Sequence, residues 1–136
     1  MYHPWRALRA LPDWTLITAS LPGRRLADLH WPTRLLVMDS RLRQAERRSV
    51  LAHELVHIER GPSGAAWVAR EEAAVDREAA RRLIPIRELG EALAWTQDVH
   101  ELAEELWTTP HMVRVRLEHL HPSERHYLRR RLQHDD

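Results

Sequence analysis

His53-Glu54-Leu55-Val56-His57 spells HExxH, near the end of a run whose apolar residues recur at helical spacing. At 3.6 residues per turn, two histidines four positions apart share one helix face. Their ring nitrogens can then meet a single metal ion at about 2.0–2.1 Å. Glu54 stands about 100° round the helix from His53, beside the pair rather than within it. From there a carboxylate can take the proton of a water as it attacks a carbonyl. The pattern points to metal-assisted hydrolysis, with Zn2+ held by His53 and His57 and with Glu54 as the base.

The flanking sequence supplies the helix. Val50, Leu51, Leu55 and Ile58 give an apolar face, so a helix is expected from Arg41 or Gln44 to Arg60. Gly61 and Pro62 follow in the order that ends a helix. Upstream, Arg34-Leu35-Leu36-Val37-Met38 reads as a short buried strand that enters the helix through Asp39-Ser40.

Catalytic zinc usually has three protein ligands and one position for water. An HExxHxxGxxH motif would need Gly at 60 and His at 63, where the chain has Arg60 and Ser63. The third ligand is therefore sought in the next expected helix, residues 67–84, which carries Glu71, Glu72, Asp76 and Glu78 before Pro85. His57 lies four residues, about 6 Å of rise, before the stop at Gly61. A helix returning antiparallel brings Glu71 and Glu72 to the same depth, and only one of them can face inwards. Glu72 has Asp76 one turn on, placed to hold a ligand histidine by its second ring nitrogen. Glu71 has Val75 there instead. Glu72 is the expected ligand and Asp76 its outer partner. The competing reading is a solvated face paired with Arg70, Arg77 or Arg81.

The stretch Glu46 to His57, ERRSVLAHELVH, resembles the ImmA/IrrE family of metallopeptidases, particularly actinobacterial and phage members. The run Glu72-Ala73-Ala74-Val75-Asp76, with Ala79-Ala80-Arg81-Arg82-Leu83-Ile84-Pro85 after it, is similar to that family's ExxAN…AAxLLMP segment. The likeness is strong over residues 33–86 and weaker to about 120. Val56 stands where the family often has Gly, and Val75-Asp76 where Ala-Asn is common. What the resemblance implies is a gluzincin-like peptidase that cleaves or otherwise inactivates a partner transcriptional regulator, of the helix-turn-helix repressor type found in phage and mobile elements. In that match Glu72 takes the third-ligand position and Asp76 the Asn/Asp position.

The rest of the chain sets bounds. Its 136 residues suit one zincin-like core, residues 1–86, with a helical part over residues 87–136 packed on it. Phe is absent, so six Trp and the aliphatic residues must fill the interior, and Trp67 and Trp95 are expected there. Cysteine is absent too, which excludes disulfides and thiolate-bound zinc. A net charge of +1 makes no global case for nucleic acid. With no apolar run of signal-peptide or membrane-span character, a cytoplasmic protein is expected. Residues 14–18 and, less clearly, 24–30 read as further strands. The fold class is α+β, a small antiparallel sheet packed on the site helix.

Beyond Pro85 the chain reads as helices over 86–95, 99–107, 110–120 and 123–132. Asp98-Val99-His100-Glu101 is a capping box, and Thr109-Pro110 an N-cap and first-turn pair. The helices at 99–120 have helix-turn-helix proportions, with Met112, Val113, Leu117 and Leu120 as the buried face. Glu101, Glu104, Glu105 and Glu118 argue against a DNA surface there, so protein docking is preferred. His100, His111, His119, His121 and His126 read as surface or capping groups. An oxyanion stabiliser is expected near the metal, with Tyr2, Tyr127 and the helical histidines left open.

Two rivals stand beside the peptidase. One is a metal-containing antagonist that disables a repressor by contact alone. The other is a small DNA-binding regulator using the helices at 99–120.

Overall fold

The computed structural model describes residues 1–62 and 68–133. Helix α1 (Pro4–Arg9) precedes strands β1 (Thr15–Ala19), β2 (Ala27–His30) and β3 (Leu35–Asp39). Six helices follow: α2 (Gln44–Arg60), α3 (Val68–Leu83), α4 (Ile86–Leu93), α5 (Val99–Glu105), α6 (Pro110–Glu118) and α7 (Pro122–Gln133). The class is α+β, as expected.

The sheet corrects one expectation. It is mixed, in the order β1-β3-β2, with β1 parallel to β3 and β2 antiparallel to it. The reason lies in burial. β3 is the apolar strand (Leu36, Val37 and Met38 are all buried), so it takes the centre. The segment from Ala19 to Ala27 gives β2 room to turn and pair with β3 as a hairpin, leaving β1 for the other edge.

Helix α2 sits between two cores. With residues 100° apart, Leu51, Leu55, Ala52 and Val56 span an arc of about 140°. Leu51 and Leu55 pack with Trp14, Leu36, Met38 and Leu42 on the sheet side, beside an edge-to-face Trp14–Trp31 pair at 5.2 Å. Ala52 and Val56 join Val75, Ala79, Ala80 and Leu83 on α3, in a cluster that continues through α4 to α7. Fully burying one Leu is worth about 1.5–3 kcal/mol, so these two seams fix how α2 is rotated. His53, Glu54 and His57 fall on the arc that is left.

The ends of α2 behave as expected, with start and stop now fixed. Glu46 accepts the Arg43 N–H at 3.0 Å, closing the first turn. Gly61, at φ 87°, ends the helix in a region that L side chains rarely adopt. Asp98 caps α5 by accepting from the N–H groups of His100 and Glu101, and Thr109 caps α6 by accepting from Met112 N–H. Trp95 is a second correction: it is 56% exposed, because α4 ends at Leu93 and carries it past the helical core. Trp67 lies outside the described residues. Met112 and Val113 on α6 are buried, whereas Leu117, and Leu120 beyond the helix end, are only partly so.

Among the described residues, two arginines are buried. Arg48 donates to the carbonyls of Leu106 (3.2 Å), Trp107 (2.9 Å), Tyr2 (3.0 Å) and Leu83 (3.4 Å). The α5–α6 turn passes through Trp107 at φ 56°, which brings two successive carbonyls to one guanidinium. Arg116 donates to Ile84 O at 2.7 Å and forks onto Glu124 at 2.9 and 2.5 Å.

That fork holds the Glu124 carboxyl at about 2, well below its ordinary 4.5, helped by the backbone N–H of His121. A carboxylate depressed in this way adds stability above pH 4.5 that is lost as pH falls towards about 2. Glu124→Gln is expected to flatten the acid limb of stability against pH in that window. Unfolding titrations from pH 6 to 2 check this, and an unchanged limb would assign the acid sensitivity to other carboxylates.

Candidate metal centre

α3 runs back antiparallel along α2, so His57 meets Glu72, His53 meets Asp76 and Arg48 meets Leu83. Positions 72, 75, 76, 79, 80 and 83 form one helical stripe. Its far end is apolar and sits in the core, while its near end is Glu72 and Asp76. Small side chains at Ala79 and Ala80, facing Ala52, allow the close approach that brings these carboxylates within reach of the histidines.

The Glu72 carboxylate straddles both imidazoles, with Oε2 at 3.0 Å from His53 Nε2 and Oε1 at 2.6 Å from His57 Nε2. One ligand atom from each of the three residues lies within 4.8 Å of the others, a group that could hold a metal ion. The two rings stand edge to face with centroids 4.8 Å apart. Around a tetrahedral zinc with bonds of about 2.0–2.1 Å, ligand atoms are roughly 3.3 Å apart, so the two His–Glu contacts would open slightly.

The proton balance favours a cation as well. His53 Nδ1 lies 2.8 Å from Asp76 Oδ1. Burial works against the Asp76 carboxyl ionising, but hydrogen bonds from His53 and His111 outweigh it and hold its pKa below the usual value. His53 therefore donates from Nδ1, and a neutral ring turns the Nε2 lone pair towards Glu72. Two acceptors then face one another, an arrangement that a divalent cation satisfies. Without one, burial disfavours the charged ring, yet the carboxylates of Asp76, Glu54 and Glu72 together raise the His53 pKa.

Glu54 lies on the sheet side of the histidines. Burial pushes its carboxyl up, His53 and His57 pull it down, and Glu72 and Asp28 push it up further, with a net rise. It opens onto a cavity of about 560 Å³ that also reaches His53, Glu72 and Asp76. One wall of this cavity comes from Leu26 and Ala27 at the start of β2, and the other from Thr109, His111 and Met112 on α6.

Each residue that the sequence singled out thus has a place. His53, Glu54, His57, Glu72 and Asp76 come together in one region. Glu71, the rejected ligand, instead takes a fork from Arg60 at 2.8 and 3.0 Å. Glu78 binds Arg81 and Arg82. Tyr2 and Tyr127 pack against the helical core and are not among the cavity residues.

His111 is exposed, as the sequence reading has it, yet it takes part in the site. His111 Nε2 lies 2.9 Å from Asp76 Oδ2, so Asp76 joins His53 to α6. Its place on the first turn after the Thr109 cap was visible in the sequence, but nothing there gave the α3–α6 contact.

The family described as peptidase M78, IrrE N-terminal-like domain, matches residues 13–118. No curated protein matches the chain. Among solved structures the fold is similar to that of a Mycobacterium tuberculosis transcriptional regulator, with a TM-score of 0.70 and 19% identity over 90% of this chain. The chain spans 42% of that regulator's length.

Proposed function

The chain belongs to the IrrE N-terminal-like peptidase family, and from that premise we propose that it is a zinc metallopeptidase which cleaves a partner transcriptional regulator. The observation that carries this reading is the convergence of His53, His57 and Glu72, with Glu54 opening onto the same cavity.

His53 Nε2, His57 Nε2 and Glu72 would hold the ion. Zinc, when bound, supplies Lewis-acid polarisation and a more acidic water. Glu54 accepts the proton of the attacking water and passes it to the leaving amine. Asp76 keeps the Nδ1–H tautomer of His53, so that Nε2 stays free for the ion. Family membership supports a regulator as the partner. No helix among the described residues is long and apolar enough to cross a membrane. Direct DNA binding is disfavoured, because His111 at the start of α6 is engaged with Asp76 and Glu118 is exposed on the same helix.

The first test is metal content. The purified protein is expected to carry about one zinc per chain by elemental mass spectrometry, and Glu72→Ala to lose most of it. No bound metal after zinc is supplied would remove the peptidase reading.

A further inference from the structure

We infer that His111 is a positioning residue for the metal centre: by binding the second oxygen of Asp76 it holds that carboxylate against His53 and so ties helix α6 to a metal ligand. The inference rests on the metal-site reading above and adds to it a residue outside the ligand set.

Asp76 lies between two histidines from two different helices. Oδ1 takes His53 Nδ1 at 2.8 Å, and Oδ2 takes His111 Nε2 at 2.9 Å. A carboxylate accepting on one oxygen alone can swing about its side-chain torsions, and its partner ring swings with it. Held on both oxygens it has one orientation, and it then fixes the tautomer and tilt of His53. The hydrogen-bonding groups are complementary in only one sense: Asp76 is ionised, so both nitrogens donate to it.

The backbone supports the placement. Thr109 Oγ1 accepts from Met112 N–H, and Thr109 N–H donates to Ser49 Oγ at 3.2 Å. Ser49 Oγ is in turn 3.0 Å from Thr108 Oγ1. The first turn of α6 is thereby fastened to α2 one helical turn before His53, and His111 is set on that turn. The His111 side chain is itself 63% exposed, so its bond to Asp76 adds little to global stability. Its effect is local, on the geometry that the metal meets.

Removing a direct outer partner of a ligand typically costs about 10–100-fold in metal affinity. His111 acts one bond further out, and roughly a 3- to 10-fold loss is expected for His111→Ala. His111→Gln is expected to restore affinity to within about 2-fold, because the glutamine amide N–H falls near the position of Nε2–H. His111→Asn is too short to reach and should resemble His111→Ala.

The experiment is a zinc competition titration of the full chain against a chromophoric chelator, with apo-protein melting curves run beside it. Weakened binding in the Ala and Asn variants, rescue by Gln and unchanged apo melting would establish the role. Wild-type affinity in His111→Ala, or no rescue by Gln, would overturn it while leaving the zinc site standing. Absence of zinc binding in the wild type would remove both the zinc site and this inference.

Discussion

Glu54→Gln is expected to keep its zinc and lose cleavage of a co-expressed cognate regulator by about 10²–10⁴-fold, the range of a general base. The substitution preserves shape but turns one accepting oxygen into an N–H donor and leaves no base to take a proton. Burial already raises the Glu54 carboxyl, so a neutral side chain there costs the fold little. Zinc content should stay near one per chain, because Glu54 is not among the grouped ligand atoms. Immunoblots of the regulator with wild type and variant, together with metal analysis of both, check the result. Full cleavage by the variant would remove Glu54 as the base. A stoichiometric effect indifferent to the substitution would replace catalysis with antagonism by contact.

Arg48→Ala is expected to cost about 3–5 kcal/mol. Arg48 is 4% exposed and satisfies four backbone carbonyls, two of them at the ends of α3 and α5. Those ends carry the negative pole of each helix, which favours a cation. Burial lowers the Arg48 pKa, and the more distant charges of Glu88 and Tyr2 oppose this. Removing the guanidinium strands the buried carbonyls of Leu106 and Leu83 and leaves a cavity. At about 3–4 °C per kcal/mol for a domain of this size, the midpoint should drop by roughly 10–20 °C. Thermal unfolding by circular dichroism measures it. Arg48→Lys should recover only part, since three donors cannot serve four acceptors. A loss below about 1 kcal/mol would mean that water replaces the guanidinium without strain.

These two predictions differ in how well the sequence foretold them. The place of Glu54 beside His53 and His57 was legible because it depends on spacing within one helix. Glu72 was legible because α3 follows α2 directly and must return beside it. Arg48 was not foreseen, although its position carried a signal. On the helical wheel it falls between Leu55 and Ala52, in the middle of the buried arc of α2. Arg116 likewise falls between Met112 and Val113 on α6. A basic residue on an apolar stripe invites the question of which carbonyls it meets, and only the tertiary fold answers it.

The sheet was harder for the same reason. Strand pairing is a non-local choice, so residues 14–18 could be read as a strand without showing that β1 runs parallel to β3. α1 is six residues long and gives too few periods to read.

The clamp on Arg48 has a consequence for the order in which the chain acquires its structure during synthesis. His53, His57 and Glu72 lie within 20 positions of one another. The acceptors that seat α2 come much later: Leu106 and Trp107 are 58 and 59 positions beyond Arg48, and Thr108 is 59 beyond Ser49. Long-range closures of this kind are slow, because the entropy of the intervening loop must be overcome first. A nascent chain therefore exposes His53, His57 and Glu72 before it holds the lattice that makes them rigid. The centre gains its stiffness only after the ribosome has delivered the turn between α5 and α6.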